Sequence, residues 1–95
     1  MGHASFSDFE TTARREGYDE ILERNWAANA VVGTHAHPFA VKALVVAGEF
    51  WLTEGELTRH LVPGDRFELA PSVPHAERYG AEGATFWTAR RHPKA

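Results

Sequence analysis

An all-β sandwich or barrel behind one short helix is the architecture this sequence predicts, on three observations. From Tyr18 onward apolar residues recur with a period near two, the alternation of half-buried strands. Glycine and proline cut that pattern into short segments about eight to twelve residues apart, the rhythm of sandwiches and barrels. Before Tyr18 the spacing is helical, near 3.6.

Ser7-Asp8-Phe9-Glu10 has the spacing of a capping box, in which a serine hydroxyl and a glutamate satisfy the free amides of a helix start. The helix that follows places Phe6, Phe9 and Ala13 near one face and leaves Arg14, Arg15 and Glu16 to solvent. Gly17 stops it. Its expected role is a lid on an edge or one end of a sheet. Strands are expected near Glu20 to Trp26, Val31 to His35, Phe39 to Val46, Glu49 to Thr53, Glu56 to Leu61, Arg66 to Leu69, Ala76 to Tyr79 and Ala84 to Arg90. Ala47-Gly48 and Glu54-Gly55 read as hairpin turns. Val62-Pro63-Gly64-Asp65 reads as a type II turn, with proline at its second position and glycine supplying positive φ at its third. Two prolines between Pro71 and Pro74 make that stretch a loop. Residues 91–95 form a polar tail expected to fray, and Met1-Gly2-His3 is given no role.

The 95 residues suit one domain, with residues 1–17 as its N-terminal segment, 18–90 as its barrel and 91–95 as its tail. An apolar share of 43% and a charged share of 24% are ordinary for a globular chain, and no apolar run approaches the length of a membrane span. A formal net charge of -3, with basic residues scattered apart from Arg14-Arg15 and Arg90-Arg91, gives no footprint for nucleic acid. With no cysteine, a metal site must use nitrogen and oxygen ligands. The N-terminus has no signal-peptide pattern, so the cytoplasm is the expected location.

The chemistry centres on His35-Ala36-His37. In an extended strand these two side chains share a face with their Cα atoms roughly 6.5 Å apart, so both rings can bend toward one ion. The pair reads equally as two polar strand residues facing solvent. His75, which follows Pro74 and opens the strand that carries Glu77 and Tyr79 on the same face, is the candidate third ligand. Three imidazoles would leave open positions on a divalent transition metal such as iron, zinc, nickel or manganese. Glu77 could orient a bound water, act as general base or become a fourth ligand; its plainer role is a surface ion pair with Arg59 or Arg78. Tyr79 could donate a hydrogen bond to a bound oxygen, or simply pack. Among the many aromatic residues, Phe39 and Trp51 are the candidates to line a cavity mouth and contact substrate. His60 is expected to face solvent, and His3 and His92 lie near the termini without a partner at ligand spacing. No nucleophile elbow, phosphate loop or zinc-protease helix is present.

At these residues the chain resembles the cupin superfamily over nearly its full length. The first cupin motif combines a glycine, His-x-His and a later glycine, and Gly33, His35-Ala36-His37 and Gly48 fit it. The second begins Pro-Gly-Asp and reaches a histidine through a proline-containing loop, as do Pro63-Gly64-Asp65, Pro71, Pro74 and His75. The resemblance implies a small jelly-roll barrel, a double-stranded β-helix enclosing a ligand cavity. Two positions depart from the pattern: the family's glutamate ligand falls at Val41 and its later asparagine at Tyr79. Valine cannot bind a metal, and Lys42 beside it would repel one, so the ligand set is reduced to His35, His37 and His75.

The function this implies is a small metal-dependent enzyme of dioxygenase, isomerase or lyase type, acting on a small organic molecule. A non-catalytic sensing or binding domain, with or without metal, is the rival. Exposed strand edges in so short a chain make a homodimer the expected assembly.

Overall fold

The computed structural model describes residues 5–93. Its elements run α1 (Phe6–Arg15), β1 (Glu20–Trp26), β2 (Val31–His35), β3 (Ala40–Glu54), β4 (Leu57–Leu61), β5 (Arg66–Leu69) and β6 (His75–Arg91). Residues 1–4 and the end of the expected polar tail lie outside the described residues.

Two long strands form the spine. β3 and β6 pair antiparallel from Ala40 against Arg91 to Thr53 against Ala76, with register shifts between Val45 and Ala47 and between Gly48 and Phe50. Each spine strand therefore serves two short sheets. Near one end β1 joins β6 and β5 joins β3; near the other, β2 joins β6 and β4 joins β3. The two halves curl toward each other, so that Phe50 and Tyr79 of one meet Trp26, Phe67 and Phe86 of the other.

The expected turn at Ala47-Gly48 is instead a bulge inside β3, and the two strands expected between Ala76 and Arg90 are one. Glycine marks a bulge as readily as a turn, because both use positive φ. Gly48 has φ +72, and a Cβ there would lie 2.1 Å from the carbonyl oxygen of Gly83. The bulges also switch which parity points inward: Val41, Ala43 and Val45 precede Phe50 and Leu52 on β3, and His75 and Tyr79 precede Ala84 and Phe86 on β6. Both halves thereby present side chains to one interior. The turns at Gly55 and at Val62 to Asp65 form as expected, the latter closed by Asp65 N–H donating to the Val62 carbonyl at 2.9 Å.

The helix cap sits two residues earlier than expected. Ser5, not Ser7, accepts a hydrogen bond from the Asp8 amide, at 3.1 Å. Ser5-x-x-Asp8 repeats the spacing of Ser7-x-x-Glu10, and starting the helix there brings Phe6 into its first turn, edge-on to Trp87. α1 covers the outer face of the sheet, not its edge or end: Phe9 and Ala13 pack with Tyr18, Leu44 and Ala89. Among the described residues no helix is long and apolar enough to cross a membrane.

Candidate metal centre

His35 closes β2, His75 opens β6, and the two are register partners. His37 follows in the loop beyond β2. Their rings converge, with centroids 4.3 Å apart for His35 and His75, 4.8 Å for His37 and His75, and 5.8 Å for His35 and His37. One ligand atom from each lies within 4.8 Å of the others. Bonds of about 2.1 Å to one ion need nitrogens roughly 3 to 3.4 Å apart, so the rings must close by one to two ångströms around an ion.

Two of the rings are aimed by backbone. His35 Nδ1 lies 2.8 Å from the Gly33 carbonyl oxygen, and His75 Nδ1 lies 2.9 Å from that of Val73. A carbonyl can only accept, so each Nδ1 carries a proton, and in the neutral ring the Nε2 lone pair is then the one turned toward an ion. His37 is held differently: its ring stacks on Phe39 at 4.2 Å and 4°, the Phe39 backbone also hydrogen-bonds to the imidazole, and Nδ1 itself has no close partner among the described residues. Burial, and next the neighbouring His75, hold the His37 pKa below the usual imidazole value, which favours the neutral form a ligand requires.

Glu77 joins them. Its Oε2 lies 3.6 Å from His35 Nε2 and 3.6 Å from His75 Nε2, and its side chain is only 11% exposed. Its other oxygen accepts the Tyr79 hydroxyl. The plainer role as a surface pair is not what the geometry gives: Arg59 reaches Glu54, and Arg78 lies over the Trp51 ring. Tyr79 is enclosed between the rings of Trp26 and Phe50, and burial together with the Glu77 carboxylate raises its phenol pKa well above the usual range. Its proton therefore stays on and serves Glu77; it is not a free donor to a bound ligand.

Two neighbours stand elsewhere than expected. Trp51 does not line this cavity. It alternates with Phe50 and Leu52, which point inward, so it turns outward and stacks on His60 at 4.7 Å. Lys42 is likewise on the far side, bonded to Glu16 at 2.6 Å, and does not face the imidazoles. His60 is exposed, as expected, and lies 3.5 Å from Glu49. His92 lies 2.8 Å from Glu20 and packs near Phe39.

The imidazoles open on a cavity of about 140 Å³ that Val41 and Phe39 also line. Its further lining residues include Arg24, Trp26, Thr88 and Arg90, none of which the sequence reading assigned to a site. A signal was available: Phe86, Thr88 and Arg90 alternate along one strand, and two polar residues on the same parity as a core phenylalanine suggest an inward polar face.

No protein-family model matches the chain, and no curated protein matches it. Solved structures do. The cupin domain of Cnp3 from Schizosaccharomyces pombe superimposes with a TM-score of 0.72 at 11% identity, over 82% of this chain and 55% of that one. An RmlC-like cupin from Shewanella frigidimarina gives 0.66 at 24% identity, over 78% of this chain and 67% of the other. The DMSP lyase DddQ from Ruegeria pomeroyi gives 0.65 at 25% identity, over 75% and 36%. The chain thus spans about half the length of the first and about a third of the last. The class is all-β jelly roll, and within it the fold is that of a small cupin.

Proposed function

We propose that this chain is a small metal-dependent cupin enzyme whose cavity takes up a small organic molecule. His35, His37 and His75 hold a divalent transition metal, and Glu77 supplies the negative charge that Val41 does not. The observation that carries this reading is the position of Glu77 Oε2 at 3.6 Å from both His35 Nε2 and His75 Nε2, where a cation would draw all three together. The donors suit iron, zinc, nickel or manganese. Such an ion supplies Lewis acidity, or with iron a redox centre for oxygenation.

The chain's own groups do the rest. Gly33 and Val73 carbonyls fix the tautomers, and Tyr79 fixes Glu77, so that Oε2 is presented to the ion or to a proton leaving the substrate. Phe39 walls the cavity beside His37 and contacts substrate. Catalysis rather than mere storage is favoured by the placement of a buried carboxylate next to the imidazoles, and one fold neighbour is named a lyase. A homodimer belongs to the same reading: among the described residues β2 pairs on one side only, and it carries Val31, 75% exposed.

Elemental analysis of protein purified without added metal, beside His75→Ala, tests the centre. The expected result is a near-stoichiometric metal in the parent and an affinity at least ~100-fold weaker in the variant. Equal metal content in the two would remove His75 from the site, and no metal affinity in the parent would end the proposal.

A further inference from the structure

Four buried side-chain polar atoms lack a hydrogen-bond partner among the described residues: Trp26 Nε1, His37 Nδ1, Thr88 Oγ1 and Arg90 Nε. All four belong to residues that line the same cavity. Buried polar groups are otherwise paired almost without exception, and a set left over around one cavity marks where a ligand's atoms belong. His37 is accounted for by the imidazole cluster. The other three belong to residues on the part of the cavity wall made by β1 and β6.

Their chemistry is one-sided. An indole N–H and a guanidinium N–H can only donate, and a hydroxyl can donate. Arg90 is partly engaged, with Nη1 3.4 Å from Glu20 Oε1 and its guanidinium 4.8 Å from the Phe39 ring centroid, but its Nε–H points to no acceptor. Thr88, 3% exposed, lies two residues before Arg90 on the same face of β6. Arg24 and Arg90 place two positive charges on the wall, and Glu77, already engaged by Tyr79, is its one carboxylate. The wall therefore asks for an acceptor with negative charge. An oxyanion would satisfy such donors and the guanidinium charge together. A cavity of about 140 Å³ suits a small occupant.

We propose that the substrate is a short-chain carboxylate of two to four carbons. Its carboxylate is held by Thr88 Oγ1 and Arg90 Nε. This inference rests on the metal-centre reading for what happens at the other end of the molecule, but not for the binding of the carboxylate itself.

The test uses the full chain, as purified and after treatment with chelator. It is titrated with acetate, glyoxylate, pyruvate and malonate, and with pyruvamide as the uncharged match for pyruvate, by calorimetry and tryptophan fluorescence. At least one carboxylate is expected to bind one to one, and pyruvate at least ten-fold more tightly than its amide, with the preference persisting after chelation. Arg90→Gln is expected to weaken binding ten-fold or more and Thr88→Val three- to ten-fold, with metal content unchanged. Because threonine and valine have similar shape, the Thr88→Val melting curve checks that the fold is kept. Binding by none of the four acids, an amide as good as its acid, or unchanged affinity in Arg90→Gln overturns the proposal. A preference that vanishes with chelator assigns the carboxylate to the metal and overturns this subsite while leaving the centre standing. Binding that persists in a protein without metal affinity does the reverse.

Discussion

The two halves of β6 face the same cavity and are finished differently. At His75, Glu77 and Tyr79 the polar atoms are engaged: the His75 Nδ1 proton goes to Val73, and the Tyr79 proton goes to Glu77. At Thr88 and Arg90, donors are left over. Engagement fixes orientation, which is what metal ligands need before an ion arrives, because rings that must first be ordered bind it less tightly. Leftover donors fix nothing by themselves; they become satisfied when something enters. The contrast separates a half whose polar groups the chain itself engages from a half that leaves donors over among the described residues. His37 differs in that its ring stacks on Phe39, whose backbone also hydrogen-bonds to the imidazole.

The largest effect is expected where the halves join. Gly48→Ala meets both a positive φ and a backbone oxygen 2.1 Å from the new Cβ, and no side-chain rotation relieves either. It is expected to cost at least ~2 kcal/mol and to lower Tm by about 10 °C or more, read from thermal melting followed by circular dichroism. Gly55→Ala is the control: it shares the positive φ, but its Cβ would meet nothing within 4 Å. It should cost about 1 kcal/mol. Similar losses in both would show that the bulge, and so the bend between the halves, is not held by this close approach.

Next comes the engaged half. Glu77→Gln keeps the shape and removes the charge, and is expected to weaken metal affinity ten- to 100-fold in competition titrations with a chromophoric chelator. Tyr79→Phe leaves the carboxylate in place but loses its anchor, so a few-fold loss is expected. If the tyrosine change matched or exceeded the glutamate change, the order of action, phenol on carboxylate on ion, would be wrong.

Much of this was legible before the structure. Strands over Glu20 to Trp26, Val31 to His35 and Arg66 to Leu69 follow from alternation and turn residues, and the convergence of His35, His37 and His75 follows from spacing together with family resemblance. What the sequence hid has two physical causes. A bulge changes parity without breaking the strand, so Gly48 and Gly83 looked like ends of elements, and the even-numbered face from Ala84 to Arg90 was not connected with the odd-numbered face from His75 to Tyr79. Composition also cannot say which of many aromatics turns inward; one step of alternation sent Trp51 out and Phe50 in. The missing glutamate at Val41 looked like a loss of charge from the site. Glu77, on the same face as His75, was a candidate fourth ligand from its spacing alone, but its plainer role as a surface pair could not be set aside without the tertiary positions of Arg59 and Arg78.

Trp51 gives the smallest and cleanest test of that inward and outward assignment. On the outer face it packs between Arg78, whose guanidinium lies 4.1 Å from its ring centroid, and the His60 ring. Trp51→Ala is therefore expected to cost about 1 kcal/mol of stability through those contacts. Metal and carboxylate affinities should stay within two-fold of the parent, because the adjacent inward positions, Phe50 and Leu52, remain. Phe39→Ala, which removes the ring that His37 stacks on and that Arg90 covers, should weaken both affinities measurably. A Trp51→Ala variant that folds normally yet loses carboxylate binding would place the ligand on the opposite face of β3, outside the barrel.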